Sequence, residues 1–540
     1  MATPSTLGLE LQEERSPDRS IPRLPTARTA FLGRTLRGPV NRPVLVASFA
    51  EFHHTFGGLW QPSRLAYAVE HFFENGGAEA LIVRVVNGAR AATLHLRAGN
   101  EFLTLQAASP GTREFLRASV DYDNIPAHDA MRFNLTVQRV RVQAGSHVED
   151  QEIFPQLCML PGDERYVGAV LARSELIRMP PGPVPLQRPQ RTTDAAGGPA
   201  YVSSNGDGDD GAPLTDYDLI GSEIERTGLF ALGACDFNLL CIPPLARTED
   251  VGPTVLMVAS RYCKDRGAML IVDPPYAWHT ADDALAGLRE WSIRSENTLM
   301  YFPRVLAHDK LRGHFESFAP CGAVAGILAR TDQTHPVWSE PRSDDAVLRP
   351  GYRPVCLVPE DRRMRLLLRG VNTLQSIRSV SRIGSKPRTL AAGSAGTADW
   401  QSLAARRLAL FIVNCIERGT RWVATAEPGA ETAQIVGAQV RLFFDQLHEA
   451  GAFGARRREQ SFYVICDRRF NAADGERAGE FQFLVGFAAS RPGEFHTYRI
   501  SHSAAASRVS PASLNRAKLA EFGPEELKWV DRLARQLEPP

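Results

Sequence analysis

Phe237-Asn-Leu-Leu-Cys-Ile242 and Met269-Leu-Ile-Val-Asp273 are short apolar runs, each ended by prolines, with a helical pattern between them. A run with no polar side reads as a strand buried on both faces. Two such strands joined through a helix lie side by side only by a crossover, which predicts a mostly parallel sheet. Thr29-Ala-Phe-Leu-Gly33, Pro43-Val-Leu-Val-Ala47 and Ala80-Leu-Ile-Val-Arg-Val-Val86 read as further buried strands. Between them, Ser48-Phe-Ala-Glu51 is a capping-box pattern that opens a short helix. Leu65, Val69, Phe72 and Phe73 form a helical stripe that Asn75-Gly76-Gly77 ends.

The texture changes between 89 and 178. Thr93-Leu-His-Leu-Arg97, Phe102-Leu-Thr-Leu105 and Arg132-Phe-Asn-Leu-Thr-Val137 alternate with period two, which predicts a β-rich domain inserted into an α/β body of residues 26–88 plus 214–350. A Pro/Gly/Asp-rich stretch, 179–213, reads as a flexible linker. Residues 351–508 are expected to form a C-terminal domain. It has helices near 399–418 and 432–450, and strands at Phe462–Ile465 and Phe481–Phe487. A tail, 509–540, holds a short amphipathic helix opened by Gly523-Pro524. The fold class is therefore α/β (α+β) and multidomain: a mixed sheet flanked by helices, a β-rich insert and extended ends.

Both ends carry strand-like arms. In the proline-rich segment 1–25, Leu7, Leu9 and Leu11 share one face of a short strand. Near the other end Glu494-Phe-His-Thr-Tyr-Arg-Ile500, with Phe495, Tyr498 and Ile500, follows Arg491-Pro-Gly493. Neither has an obvious partner nearby in the sequence, so each is expected to seek a sheet edge.

Composition narrows the function. In 540 residues the net charge is +1, which argues against a dedicated nucleic-acid binder. The longest apolar runs, such as Leu408–Ile416, stop short of the ~18 residues that span a bilayer, and no secretory signal is visible. Eight cysteines lie mostly inside apolar runs with no C-x-x-C pair, a usage that fits a reducing compartment. Basic clusters gather in the last third, at Arg406-Arg407, Arg456-Arg-Arg458 and Arg468-Arg469, where they offer a locally positive surface to an acidic partner.

No catalytic motif stands out. Gly228-Leu-Phe-Ala-Leu-Gly233 has the glycine spacing of a phosphate loop, but Ala234-Cys235 stand where Lys and Ser/Thr are needed. His53-His54 are neighbours on a helix and diverge by about 100°, so they do not share a metal. Asn205-Gly-Asp-Gly-Asp-Asp-Gly211 begins like a calcium loop, yet Asp210 takes the glycine position and Asp216 the final glutamate's. No catalytic residue, cofactor or metal is expected.

Several segments, in order, resemble the tail sheath protein of contractile phage tails and phage-tail-like injection systems. They are Gly8–Glu13; Thr29–Pro39 with Phe52 and Phe56-Gly-Gly58; Ala68–Gly77 with Val83-Arg-Val85; Phe133–Val137 with Glu152 and Arg165-Tyr-Val167; Ala323–Asp332 with Val337-Trp338 and Pro341; and Gly370-Val-Asn372, Arg388-Thr389, Arg406-Arg407 and Arg491–Phe495. The resemblance implies a structural subunit that polymerises with copies of itself in hexameric rings around an inner tube protein. Its arms would be exchanged by strand addition, and baseplate and terminator or cap proteins would close the particle. It implies assembly in the bacterial or host cytoplasm, contraction against a target envelope, and no contact with nucleic acid or insertion into a membrane. Leu7, Leu9, Leu11, Phe495, Tyr498 and Ile500 would be arm residues. Arg441, Arg456, Arg457 and Arg458, on and after the helix before the last strands, would face the tube. The alternative from the strands themselves is an α/β enzyme or nucleotide-binding protein with its site at the strand ends near Asp273.

Overall fold

A computed structural model describes residues 20–512 except 143–145, 342–344, 379, 393–397, 427–428, 455–456 and 467–479. The chain divides into two compact units, Met1–Pro25 with Ala404–Pro540, and Thr26–Leu403.

The larger unit is built on an eight-stranded sheet. From one edge the order is Val380–Ile383, Val371–Ile377, Thr298–Phe302, Met269–Val272, Leu239–Cys241, Thr29–Gly33, Ala80–Arg84 and Val44–Val46. Neighbours are parallel except the two edge strands, which pair antiparallel. The central strands are apolar on both sides because helices cover both faces. On one face Ala30, Leu32, Leu240, Leu270, Val272 and Met300 pack with Val255, Ala259 and Cys263 of the helix Pro253–Asp265. On the other, Phe31 meets Phe72 edge-on, with ring centroids 5.5 Å apart. Phe72 belongs to the helix Arg64–Glu74, which Ser63 caps by accepting the Ala66 N–H. The helix Cys321–Thr334 lies against it so closely that a Cβ on Gly322 would stand 2.0 Å from the Ala68 carbonyl oxygen, and one on Gly326 2.4 Å from that of Phe72. Glycines one turn apart permit that backbone contact.

The body extends further than the expected boundary at 350. Val371 pairs with Met300, and the Asn372 amide donates to Met300 O (3.1 Å) and Arg388 O (2.8 Å) while its oxygen accepts the Arg388 N–H (2.7 Å). The last strand of the sheet is Val380–Ile383, and the larger unit ends at Leu403.

The insert consists of a four-stranded sheet (Val202–Ser203, Leu116–Asp121, Arg132–Val142, Ser146–Cys158) and a three-stranded one (Thr93–Ala98, Glu101–Ala107, Ile177–Arg178). Leu94, Leu96, Leu103, Leu105, Phe133 and Leu135 are in its core. The 179–213 stretch is not a loose linker. Gln190 and Thr192 donate backbone N–H groups to Arg97 O (2.7 Å) and Val120 O (3.0 Å), and Val202 pairs with Ala118. Arg188 lies over the Tyr122 ring at 3.8 Å, and the Tyr122 hydroxyl donates to Pro189 O. The acidic run that resembles a calcium loop clasps this domain. Asp207 accepts the N–H and hydroxyl of Thr93, and Asp210 those of Thr112. Proline and glycine erase the periodicity of the segment, but its backbone still has to be paired, and the open strand edges of the insert pair it.

The insert is seated on the body by Arg84. Its guanidinium, 1% exposed at the end of a central strand, donates to Gly38 O (2.7 Å), Ser109 Oγ (2.8 Å) and Pro110 O (2.7 Å). Burial pulls it down to about 10. Arg34 adds bonds to Asp210 O and Gly211 O, and Arg37 an ion pair with Glu149 at 2.9 Å.

Candidate assembly surfaces

The smaller unit packs the helices Leu403–Gly419 and Ala430–Glu449 with an antiparallel sheet ordered Phe462–Ile465, Phe481–Phe487, His496–His502, Ser507–Pro511. Ile412, Ile416, Val440, Phe443, Phe444 and Leu447 are buried. Phe444 stacks on Phe462 at 4.8 Å, which fixes the second helix on the sheet.

The C-terminal segment thought to lack a partner has two. His496–His502 pairs over its whole length with Phe481–Phe487 and over five residues with Ser507–Pro511. Ile500 is fully buried, Tyr498 stacks on Phe487 at 5.6 Å, and Phe495 meets Tyr463 edge-on at 5.3 Å. Tyr498 and Ile500 therefore belong to the unit's own sheet, Phe495 packs on it from just before the strand, and the expectation of an unpartnered arm here is overturned. The sequence obscured this because the pairing strand lies beyond a turn and a second strand follows it. His502 closes the sheet onto the first helix. Its Nε2 bonds Thr420 Oγ1 at 2.8 Å and its Nδ1 bonds Ser507 Oγ at 2.8 Å. The Thr420 hydroxyl donates to Ile416 O, so it accepts from the histidine. Burial lowers this histidine to about 4.

Among the described residues, the outer strands of this sheet are Phe462–Ile465 and Ser507–Pro511. In the latter Arg508, Ser510 and Pro511 are exposed. Leu7, Leu9 and Leu11 lie outside the described residues. The described residues Ile21 and Leu24 are docked on this unit. Ile21 is buried against Gly419, and the Leu24 N–H donates to Cys415 Sγ at 3.4 Å.

Arg456 also lies outside the described residues. Arg441 is exposed on the outer face of the helix Ala430–Glu449, beside exposed Leu442. Arg457 and Arg458 are exposed in the loop after it, but Arg458 is held by both carboxylate oxygens of Asp445 and lies over the Phe462 ring at 5.1 Å. The positive surface expected from the arginine run is thus partly neutralised within the unit.

The motifs set aside as non-catalytic have structural places. Gly228–Ala234 is a 3-10 helix whose first N–H goes to Asn41 Oδ1. His53 and His54 lie on the exposed side of a helix that buries Phe52 and Phe56. Among the described residues no group of three or more His, Cys, Asp or Glu is placed to hold a metal, and no helix is long and apolar enough to cross a membrane.

A parallel-centred sheet with antiparallel edges, a two-sheet insert and a two-helix, four-strand unit together make the fold of tail sheath proteins. The solved structures that share it include the sheath tail protein of Listeria innocua, with TM-score 0.60 and 11% identity over 90% of this chain and 96% of that one. The sheath tail protein of Desulfitobacterium hafniense gives 0.51 and 12% over 94% and 100%. A chain of the anti-feeding prophage baseplate in its contracted state gives 0.50 and 17% over 92% and 97%. No family model matches the chain, and no curated protein matches it in sequence.

Proposed function

We propose that the chain is the structural subunit of a contractile sheath, which polymerises around an inner tube and shortens to drive the tube through a target envelope. One observation supports this most: the likeness to a sheath tail protein runs over 90% of the chain, insert included, and is not confined to the α/β body that many enzymes share. On this reading the insert lies outward and the helix Ala430–Glu449, with Arg441 and Arg457, faces the tube. The N-terminal arm of a neighbouring copy adds a strand to an outer strand of the four-stranded sheet. Baseplate and cap proteins are the other partners, assembly takes place in the cytoplasm, and the role is mechanical, not catalytic.

Negative-stain microscopy of the full chain, alone and co-expressed with its tube protein, tests the reading. Tubes or stacked rings are expected. Monodisperse monomers in every condition, with or without tube protein, would overturn it. The variant lacking residues 1–19 is expected to keep its fold and lose its tubes. The cut stops there because Ile21 and Leu24 belong to the smaller unit's packing.

A further inference from the structure

Two exposed patches of the larger unit complement each other in chemistry and lie at opposite ends of one helical layer. The first is the loop Gly221–Thr227, which holds an isoleucine out in water. Ile224 is 95% exposed and stands between exposed Glu223 and Glu225. Tyr217, on the short helix Asp216–Ile220 just before the loop, is 86% exposed. The loop is pinched shut at its neck. The Thr227 N–H donates to Ser222 O (3.0 Å), the Ser222 N–H donates to Thr227 Oγ1 (2.9 Å), and Ser222 Oγ accepts the Glu225 N–H (3.3 Å). Arg226, the loop's single cation, completes the turn at a left-handed φ of 54°. An apolar side chain fixed in this way loses little freedom when it docks.

The second patch is on the helix Glu360–Leu368. Met364 and Leu368, one turn apart, are both more than half exposed. Beside them run exposed Arg365 and Arg369, again four residues apart and so on one side of the helix. Arg362 and Arg363 of the same helix are engaged by Asp282, Asp361 and Glu360. Among the described residues Arg365 and Arg369 form no ion pair, and neither do Glu223 and Glu225. Burial first, and the like charge of Arg369 second, lower the Arg294 guanidinium, so positive charge gathers at this end of the helix.

Both patches belong to the layer over one face of the eight-stranded sheet, where Leu219, Leu229 and Leu366 share one core. The loop feeds the 3-10 helix Gly228–Ala234, which packs on Ala80–Arg84, whereas the helix Glu360–Leu368 packs on Val371–Ile377. Those strands are five steps apart in the sheet, about 24 Å at ~4.8 Å per step. The loop therefore cannot reach the helix of its own chain, but it can reach that of a copy set beside it.

We propose that Ile224 docks on Met364 and Leu368 of a second copy of this chain, with Glu223 and Glu225 against Arg365 and Arg369. The inference deepens the sheath reading and rests on it. A different patch at each end of every copy makes a head-to-tail contact, which closes into a ring or continues as a helix. One loop on one short helix covers less than the ~1,000 Å² of a self-sufficient interface, so this contact sets lateral register and adds to the other contacts of the assembly.

The test uses the full chain. Ile224→Cys and Leu368→Cys are made separately, mixed under assembly conditions, treated with a short bis-maleimide and digested for mass spectrometry. A peptide pair joining 224 to 368 is expected, and in the mixture it can come only from two copies. Glu223→Arg with Glu225→Arg, and separately Arg365→Glu with Arg369→Glu, should each raise the concentration at which assemblies appear by about fivefold at low salt, the scale of two surface ion pairs. The chain with all four changes should assemble like the unaltered one. Every altered site is exposed, so monomer melting should not move. Tubes or rings without the 224–368 link, or a four-change chain no better than its two halves, would overturn this inference and leave the sheath reading standing. Linked head-to-tail oligomers that never become tubes would uphold the contact and overturn the sheath reading. Neither assembly nor link would overturn both.

Discussion

Replacing Arg84 by Met tests whether the insert is bolted to the body or merely tethered. In the intact chain the guanidinium serves three acceptors, two of them on the insert. Bonds from a charged donor are worth about 1.5 kcal/mol or more each, a gross term near ~5 kcal/mol. Burial that draws the guanidinium down to about 10 offsets this by about 3 kcal/mol, at about 1.4 kcal/mol per unit. The net loss expected for Arg84→Met is therefore about 2 kcal/mol. In a second background residues 89–211 are replaced by a short Gly/Ser turn, which the adjacency of Asn87 and Ala212 makes feasible. There only Gly38 O remains as an acceptor, water reaches the group, and the same substitution should cost no more than about 0.5 kcal/mol. Urea unfolding of the four proteins closes a double-mutant cycle with a coupling of about 1.5 kcal/mol. Hydrogen exchange at 109–112 and 208–212 should rise in the intact variant. Equal costs in the two backgrounds would refute the bolt and place Arg84 in the body's own core.

His71 and His502 are both buried and lowered to about 4 by lost hydration. Each titrates near ~6.5 when unfolded, so their contribution is whole above that value and is lost as pH falls toward 4, by about 3 kcal/mol per histidine. The Tm should fall across this window and the fall should be shallower in His502→Gln; a flat profile would contradict it. Ile500→Ala should destabilise the isolated monomer by about 2–5 kcal/mol, because the residue is core. Normal monomer melting with assembly alone lost would restore the exchanged-arm reading of this strand. Arg441→Glu with Arg457→Glu should reduce co-sedimentation with tube at low salt and leave sheath-only tubes intact. Surface charges of this kind are screened within about 10 Å at 0.1 M salt, so an unchanged co-sedimentation at low salt would count against a tube-facing role.

The resemblance to sheath proteins and the α/β class were legible in the chain because both are written in short-range pattern. Phe237–Ile242 and Met269–Asp273 announce buried strands by lacking a polar side, and Leu65, Val69 and Phe72 announce a helix by spacing. Ser48 marks a start that the structure caps as expected. The exposed helix face that carries His53-His54 was also readable from its own segment.

What escaped the sequence was every decision made between distant residues. Arg84 is a strand residue with no local oddity, and its acceptors Ser109 and Pro110 lie on the insert. Residues 179–213 have no periodicity, yet Asp207 and Asp210 tie them to Thr93 and Thr112. Residues 351–508 read as one C-terminal domain, yet the pairing of Val371–Ile377 with Thr298–Phe302 assigns that strand to the body. Glu494–Ile500 carries the alternation of an exchanged arm and of an interior strand alike, and the hydrogen bonds to Phe481–Phe487 decide between them. Side-chain periodicity is set by the backbone of one element and so is local. A strand's partner and a buried charge's acceptors are chosen by which distant surfaces the folded chain brings within about 3 Å, and only the tertiary structure holds that information.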